Sequence, residues 1–182
     1  AKERTTRFFQ HGGAYYPETI TFWGTWQNES YGWDREGKPP GYIKSNWLRY
    51  HQSGGLELAS MMLDYYAITQ DKEFLDSTLL PIVSSVIEFY DKHYDRDENG
   101  KIHFYPAQAL ETWWECENPM PEIAGLNYVI ETLLDLDETN YTEEQVAART
   151  HSLTELPELP TRKVNGDSIL SPASKYDHLN NS

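Results

Sequence analysis

Three apolar stripes at helical spacing constrain this chain more than any other feature. Leu56, Ala59, Met62, Leu63 and Tyr66 recur at steps of three and four. Ile82, Val83, Val86, Ile87, Phe89 and Tyr90 form a second stripe, and Ile123, Leu126, Val129, Ile130, Leu133 and Leu134 a third. Each run fits one buried face of an α-helix and not the two-residue alternation of a half-buried strand. Loops that carry two small β pieces join them, and the helices are expected to pack as antiparallel pairs. The expected architecture is mainly α: helix pairs of an α/α barrel or toroid, or a less regular bundle.

Local signals place the element ends. Residues 1–10 read as a helix closed by Gly12-Gly13. The stretch from Asn46 to Thr69 turns helical, and Gly54-Gly55 leaves two readings. Either the helix starts at Leu56, or a longer helix tolerates both glycines at a cost of ~1 kcal/mol each. Asp71 caps a short segment from Lys72 to Ser77, and Pro81 sits in the first turn of a helix running to about Tyr94. Lys101 to Tyr105 reads as a strand, and residues 106–120 read as irregular. Pro121 opens a helix to about Leu136. Thr142 and Gln145 form a capping box for a helix from Glu143 to about Leu153. Asn165-Gly166, between Arg162-Lys163-Val164 and Ser168-Ile169-Leu170, is a hairpin turn signal.

Charge and composition narrow the function. Against 15 Lys and Arg stand 29 Asp and Glu, a formal net charge of -14. Such a chain repels phosphate backbones and anionic lipid, which argues against nucleic-acid and membrane-surface partners. A single cysteine, Cys116, excludes an internal disulfide framework and a multi-cysteine zinc site. No apolar run approaches the ~20 residues of a membrane span. With 182 residues, the chain is expected to form one unit, and the ends lack start and stop signals. Residues 1–182 are therefore expected to be a segment of a longer protein.

Aromatic rings mixed with carboxylates point toward sugars, whose pyranose faces are apolar and whose rims are hydroxyls. One such cluster holds Glu18 among Tyr15, Tyr16, Phe22, Trp23 and Trp26. Another holds Glu111, Glu115 and Glu117 around Trp113 and Trp114. A carboxylic acid beside indole rings is desolvated, which favours its protonated form and suits a general acid. An inverting glycosidase pairs such an acid with a base roughly 6.5–9.5 Å away. In Asn46 to Gln52, helical spacing puts Trp47, Tyr50 and His51 on one face and Arg49 on another. His51 and Gln52 are candidates for sugar hydroxyls, and a hydrogen-bonded structural role for His51 weighs against that. The alternative for both clusters is core packing with solvated glutamates. Asp95, Asp97, Asn99 and Gly100 mimic the start of a calcium loop. The twelfth position is Pro106 instead of the bidentate Glu such a loop needs, so a polar turn and no cofactor are expected, with a weak calcium site at Asp95, Asp97 and Asn99 as the alternative.

These residues carry a resemblance. The run from Tyr65 to Tyr94 resembles a helix pair of the six-hairpin (α/α)6-barrel glycosidases, with a Thr-x-Asp step at Thr69–Asp71 and a Leu-Pro opening at Leu80-Pro81. Residues 95–115 look like their next connection, a glycine-bearing turn leading to a carboxylate loop. The pattern is similar to family 95 glycoside hydrolases, fucosidases and related galactosidases. It is also similar to large bacterial proteins that share Pro17-Glu18-Thr19, Phe22-Trp23-Gly24, Ala109 to Thr112 and Asn118 to Leu126. In family 95 the loop ends in Ser-Pro-Glu, and here it is Ala109-Leu110-Glu111. Asparagines that assist the base there fall near Tyr15 to Thr19, where this chain has Glu18.

The resemblance implies a truncated sector of an (α/α)6 toroid with short β insertions. The whole protein would be an inverting, acid/base glycoside hydrolase acting on plant or host glycans outside the cytoplasm. Glu111 would be the general acid and Glu18 a base-side or orienting carboxylate. Trp23, His51, Gln52, Trp113, Trp114, Glu115 and Glu117 would line sugar subsites. The partners implied are a carbohydrate and the remainder of the same chain, and this segment alone would not turn over substrate. The competing class is a non-catalytic carbohydrate-binding or structural helical domain.

Overall fold

In the computed structural model, described over residues 1–17, 36–39, 41–110, 112–136 and 141–179, the helices form as the stripes dictate. Helix α1 spans Lys2–Phe9. It ends at Gln10, which takes the left-handed cap (φ 66°) expected two residues later at the glycines. Gly13 serves a different need. Its φ is 92°, and an added Cβ would run into the backbone of Phe89. There the chain lies against a later helix, with the Ala14 N–H donating to Ser85 O at 2.7 Å.

Helix α2 spans Gly54–Thr69 and so includes both glycines, at its first turn. A Cβ at Gly54 would lie 2.7 Å from the Tyr16 carbonyl oxygen, and one at Gly55 would lie 3.1 Å from Val86. Close approach, not flexibility, explains the pair. The preceding residues, 46–50, form turns instead of helix. The second helical arm is continuous. Asp71 caps α3 (Lys72–Phe74), accepting from the Phe74 N–H at 3.0 Å. A π-helical turn over Leu75–Leu79 leads into α4 (Leu80–His93). A π turn carries one more residue per turn than the α-helix, which shifts the phase of the buried face. Leu75 and Leu79 are both fully buried there.

Residues 101–105 do not form the expected strand. Only Arg96 and Ile102 make a β-bridge. The other backbone donors go to separate acceptors: Ile102 to Glu155 O, His103 to Asp95 O, and Phe104 to the Asn118 side chain. Residues 106–120, expected to be irregular, contain strands β1 (Ala107–Ala109) and β2 (Thr112–Pro119). They pair antiparallel, with Ala107 opposite Cys116 and Ala109 opposite Thr112. Two steps along β1 thus match four along β2, a bulged register that explains why no alternation is visible in the sequence. Helix α5 (Met120–Asp135) follows and packs on α2. Helix α6 (Glu143–Glu155) opens with both capping-box bonds, at 3.0 and 3.2 Å, and packs on α5.

The Asn165-Gly166 signal holds. Strands β3 (Thr161–Val164) and β4 (Asp167–Leu170) pair across it, with Asn165 at φ 53° and Gly166 at φ 96°, as a type I′ turn requires. Strand β5 (Ala173–Lys175) adds to the free edge of β2, giving the order β1-β2-β5. One apolar core joins the helices. Tyr15, Phe89, Tyr90 and Phe104 fill its aromatic end, and Ile123, Leu126, Ile130 and Leu133 line its α5 side. The fold is mainly α, a segment of helix hairpins with small antiparallel sheets. No helix among the described residues is long and apolar enough to cross a membrane.

Candidate functional site

The bulged β1–β2 pair builds a distinctive surface. Leu110, Trp113, Glu115 and Asn118 all have positive φ, between 50° and 59°. Non-glycine residues in this region carry a cost of order 1–3 kcal/mol each, and such strain tends to collect at functional sites. Its consequence is that successive side chains of β2 do not alternate between two faces. Trp114 and Glu115 come to one open cavity together.

That cavity, of about 300 Å³, is lined by Asn46, Arg49, Tyr50, Trp114 and Glu115. Two sequence segments meet there, and Gln108 on β1 fixes them. Its buried amide donates to the Trp47 carbonyl at 2.6 Å and accepts from the Tyr50 N–H at 3.4 Å. Trp47 packs edge-on against Trp114, with ring centroids 5.0 Å apart. Arg49 is held from below by its own turn, donating to Ile43 O at 3.1 Å and Lys44 O at 3.3 Å. Its guanidinium also lies over the Tyr42 ring. Burial, then the Glu115 carboxylate, pushes the Tyr50 phenol up, while Arg49 beside it pulls the other way. Tyr50 therefore keeps its proton at neutral pH and can donate it.

The other site candidates lie elsewhere. Glu18, Trp23 and Glu111 fall outside the described residues. Trp113 is half-buried against Tyr176, with ring centroids 5.8 Å apart. Glu117 faces its cross-strand partner, accepting from Lys175 Nζ at 2.9 and 3.0 Å. The Lys175 ammonium holds its carboxyl below the usual range. Both Glu117 and Trp113 thus tie β2 to the segment around β5.

His51 and Gln52 are buried. Ser53 Oγ lies 2.9 Å from His51 Nε2, the structural role that the sequence favoured. Gln52 belongs to a polar chain across the core. Tyr94 donates its hydroxyl proton to Gln52 Oε1 at 2.6 Å, and Gln52 Nε2 donates to His93 Nε2 at 2.9 Å. His93 Nδ1 donates to His11 Nε2 at 3.0 Å, and His11 Nδ1 to the Gly12 carbonyl at 2.8 Å. The direction is forced, because a carbonyl at one end only accepts and each neutral imidazole has one donor and one acceptor. Burial, with the neighbouring His11, pushes His93 down to about 3. The amide of Gln52 is therefore committed to the core and does not reach the cavity.

Sequence reading missed Asn46, Arg49 and Tyr50 as a group, because it spaced them on a helix that does not form. It also missed Glu122. This residue is buried in the first turn of α5, and its carboxylate oxygens find no hydrogen-bond donor among the described residues. Burial pushes it up to about 8; its own backbone N–H, near the carboxylate, pulls the other way, and Glu57 adds to the rise. A signal existed: Glu122 sits four residues before Leu126 and seven before Val129, on the apolar face. Residues Asp97 to Gly100 form a turn, in which the Gly100 N–H donates to Asp97 O at 3.0 Å. Asp97 Oδ1 accepts from the Asn99 and Lys101 N–H groups at 2.8 and 2.9 Å, which holds the turn closed. Among the described residues, no group of three His, Cys, Asp or Glu side chains could hold a metal.

Comparison with solved structures finds three matching chains, one of which is informative by its description. A protein described as "Putative kojibiose phosphorylase from human microbiome" superimposes with a TM-score of 0.59 at 15% identity. The likeness is one of fold. It covers 88% of this chain and 23% of that one, so the chain spans about a quarter of that protein's length. It supports the (α/α)6-barrel architecture expected from the sequence and does not single out family 95. No family model and no curated protein matches the chain.

Proposed function

We propose that this chain is a segment of an (α/α)6-barrel enzyme that cleaves glycosidic bonds in plant or host glycans. The observation that carries the reading is the open cavity beside β1–β2. It combines an indole, a phenol, an amide, a guanidinium and a carboxylate on one strained strand pair and one clamped turn. Sugar rings need an apolar face together with several convergent donors and acceptors, and a cavity of this size suits a small ligand. The fold shared with a segment of a protein named as a phosphorylase supports the same class.

In this reading Glu111 is the general acid. It protonates the departing glycosidic oxygen while a base elsewhere in the barrel activates the attacking group, with inversion at the anomeric carbon. Glu18 is an orienting carboxylate on the base side. Trp23, Trp113 and Trp114 offer stacking surfaces, and the Asn46–Tyr50 turn offers hydrogen bonds. The attacking group is water in a hydrolase and inorganic phosphate in a phosphorylase. The name of the structural neighbour makes phosphate the second reading.

The test uses the full-length protein, wild type beside Glu111→Gln. Both are assayed for reducing-sugar release and for sugar phosphate, with and without inorganic phosphate, on glycans and aryl glycosides. Loss of at least about a hundredfold in the variant is expected of a general acid. Product formed only with phosphate would select the phosphorylase. Full activity in Glu111→Gln would remove that residue from the chemistry. A folded wild type that cleaves nothing in the panel would reject the enzymatic reading.

A further inference from the structure

A second cavity lies between α4 and α6 and shares no residue with the one beside β1–β2. Its volume is about 320 Å³, within the range of small-molecule sites. Arg149, on α6, lines it and is only 8% exposed. The guanidinium lies over the Tyr141 ring at 3.9 Å. Its Nη1 has no hydrogen-bond acceptor, and no carboxylate pairs with it among the described residues. A ring face is a weak partner for a cation removed from water, so the Arg149 charge is left largely uncompensated.

The carboxylates that share the cavity are engaged by other cations. Glu88 accepts from Lys92 Nζ at 2.6 Å, and Asp91 pairs with Arg96. Neutral donors stand beside Arg149. Gln145 Oε1 accepts from the Thr142 N–H in the capping box, which leaves its NH2 group to donate to a ligand. Ser84 adds an exposed hydroxyl from α4, and Ile87 and Ala148 add apolar wall.

We infer that this cavity binds a small organic monocarboxylate, with Arg149 as its cationic anchor. One unmatched cation calls for one negative charge. A carboxylate offers two coplanar oxygens, which a guanidinium meets with charge-assisted bonds, and its other lone pairs accept from Gln145 and Ser84. The body of the ligand lies against Ile87 and Ala148. A dianionic phosphate fits worse, because its second charge faces Glu88 and Asp91, and like charges so placed discriminate between ligands. The site does not depend on the glycan-cleaving reading.

The experiment titrates the full-length wild type, Arg149→Met and Ser84→Ala with butyrate, benzoate and inorganic phosphate, by calorimetry and by ligand-induced change in Tm. Met removes the charge and keeps much of the stem. Ser84→Ala alters an exposed residue and tests the site in a protein that keeps its fold. The better monocarboxylate should bind wild type with a Kd of about 1 mM or below, and more tightly than phosphate. It should bind at least about tenfold more weakly to Arg149→Met and about threefold more weakly to Ser84→Ala. Saturating carboxylate should raise the Tm of wild type and not that of Arg149→Met. Without ligand, Arg149→Met should be no less stable than wild type, because an uncompensated buried charge has gone. A folded wild type that binds neither carboxylate at about 10 mM would overturn the site. So would affinities unchanged in both variants. Phosphate bound more tightly than either carboxylate would overturn the ligand class. A ligand-free Arg149→Met that melts well below wild type would show that the Arg149 charge is already compensated within the protein, and would overturn the inference as well.

Discussion

Buried His93 should make the protein acid-sensitive in a calculable way. In the folded chain His93 titrates at about 3, against an ordinary value of 6.5. The cause is burial first and His11 second, and the hydrogen-bonded chain from Tyr94 to Gly12 requires the neutral ring. Unfolded chains bind the proton near 6.5 and folded chains do not, so acid favours unfolding. The full stability is present above about 6.5 and is lost progressively as pH falls toward 3. The loss works out at about 2 kcal/mol at pH 5 and about 4 kcal/mol at pH 3. The assay is urea unfolding of wild type and His93→Gln at pH 7.5 and 5.0. Other groups titrate in both proteins, so the relevant quantity is the difference between the two pH responses. Wild type should lose about 2 kcal/mol more than the variant over this interval. Parallel responses would refute the argument, as would an imidazole resonance of His93 titrating near 6.5 in the folded protein.

Two further outcomes follow from buried polar groups. Glu122 titrates at about 8 when folded against 4.5 ordinarily, so the folded state holds its proton longer and stability falls as pH rises through this window. Glu122→Gln should therefore gain roughly 3 kcal/mol relative to wild type between pH 5 and pH 8, measured by urea unfolding, and a constant offset would contradict the assignment. Gln108→Leu removes both bonds to the Trp47–Tyr50 turn and should cost roughly 1–3 kcal/mol. It should also raise KM for glycans, because the cavity wall is no longer held. Unchanged stability and KM would show that the turn is positioned without it.

Much of the framework was legible. The stripes at 56–66, 82–90 and 123–134 became α2, α4 and α5 because a buried face at 3.6-residue spacing is a property of sequence alone. The Thr142 box and the Asn165-Gly166 turn were legible for the same reason, since their hydrogen bonds and backbone angles are satisfied within a few residues. The β1–β2 pair was not legible, because its bulged register hides the alternation that marks a strand. Gln10, rather than either glycine, ending α1 was likewise invisible. Gly13 is reserved for contact with Phe89, far along the chain.

The candidate site divides along the same line. Sequence by itself determined that rings and carboxylates cluster at 108–118 and that residues 46–52 carry polar and aromatic groups. Only the tertiary structure decided that Gln108 joins the two, that Trp114 and Glu115 share a cavity with Asn46, Arg49 and Tyr50, and that Gln52 turns inward to His93. It also decided that Glu117 answers Lys175 and that Glu122 lies buried without a donor among the described residues. The reason is the range of the forces involved. Periodicity, caps and tight turns are fixed by neighbours within one or two helical turns. The direction of a side chain at a bulge, or the partner of a buried amide, depends on residues tens of positions away that only the packed core brings near.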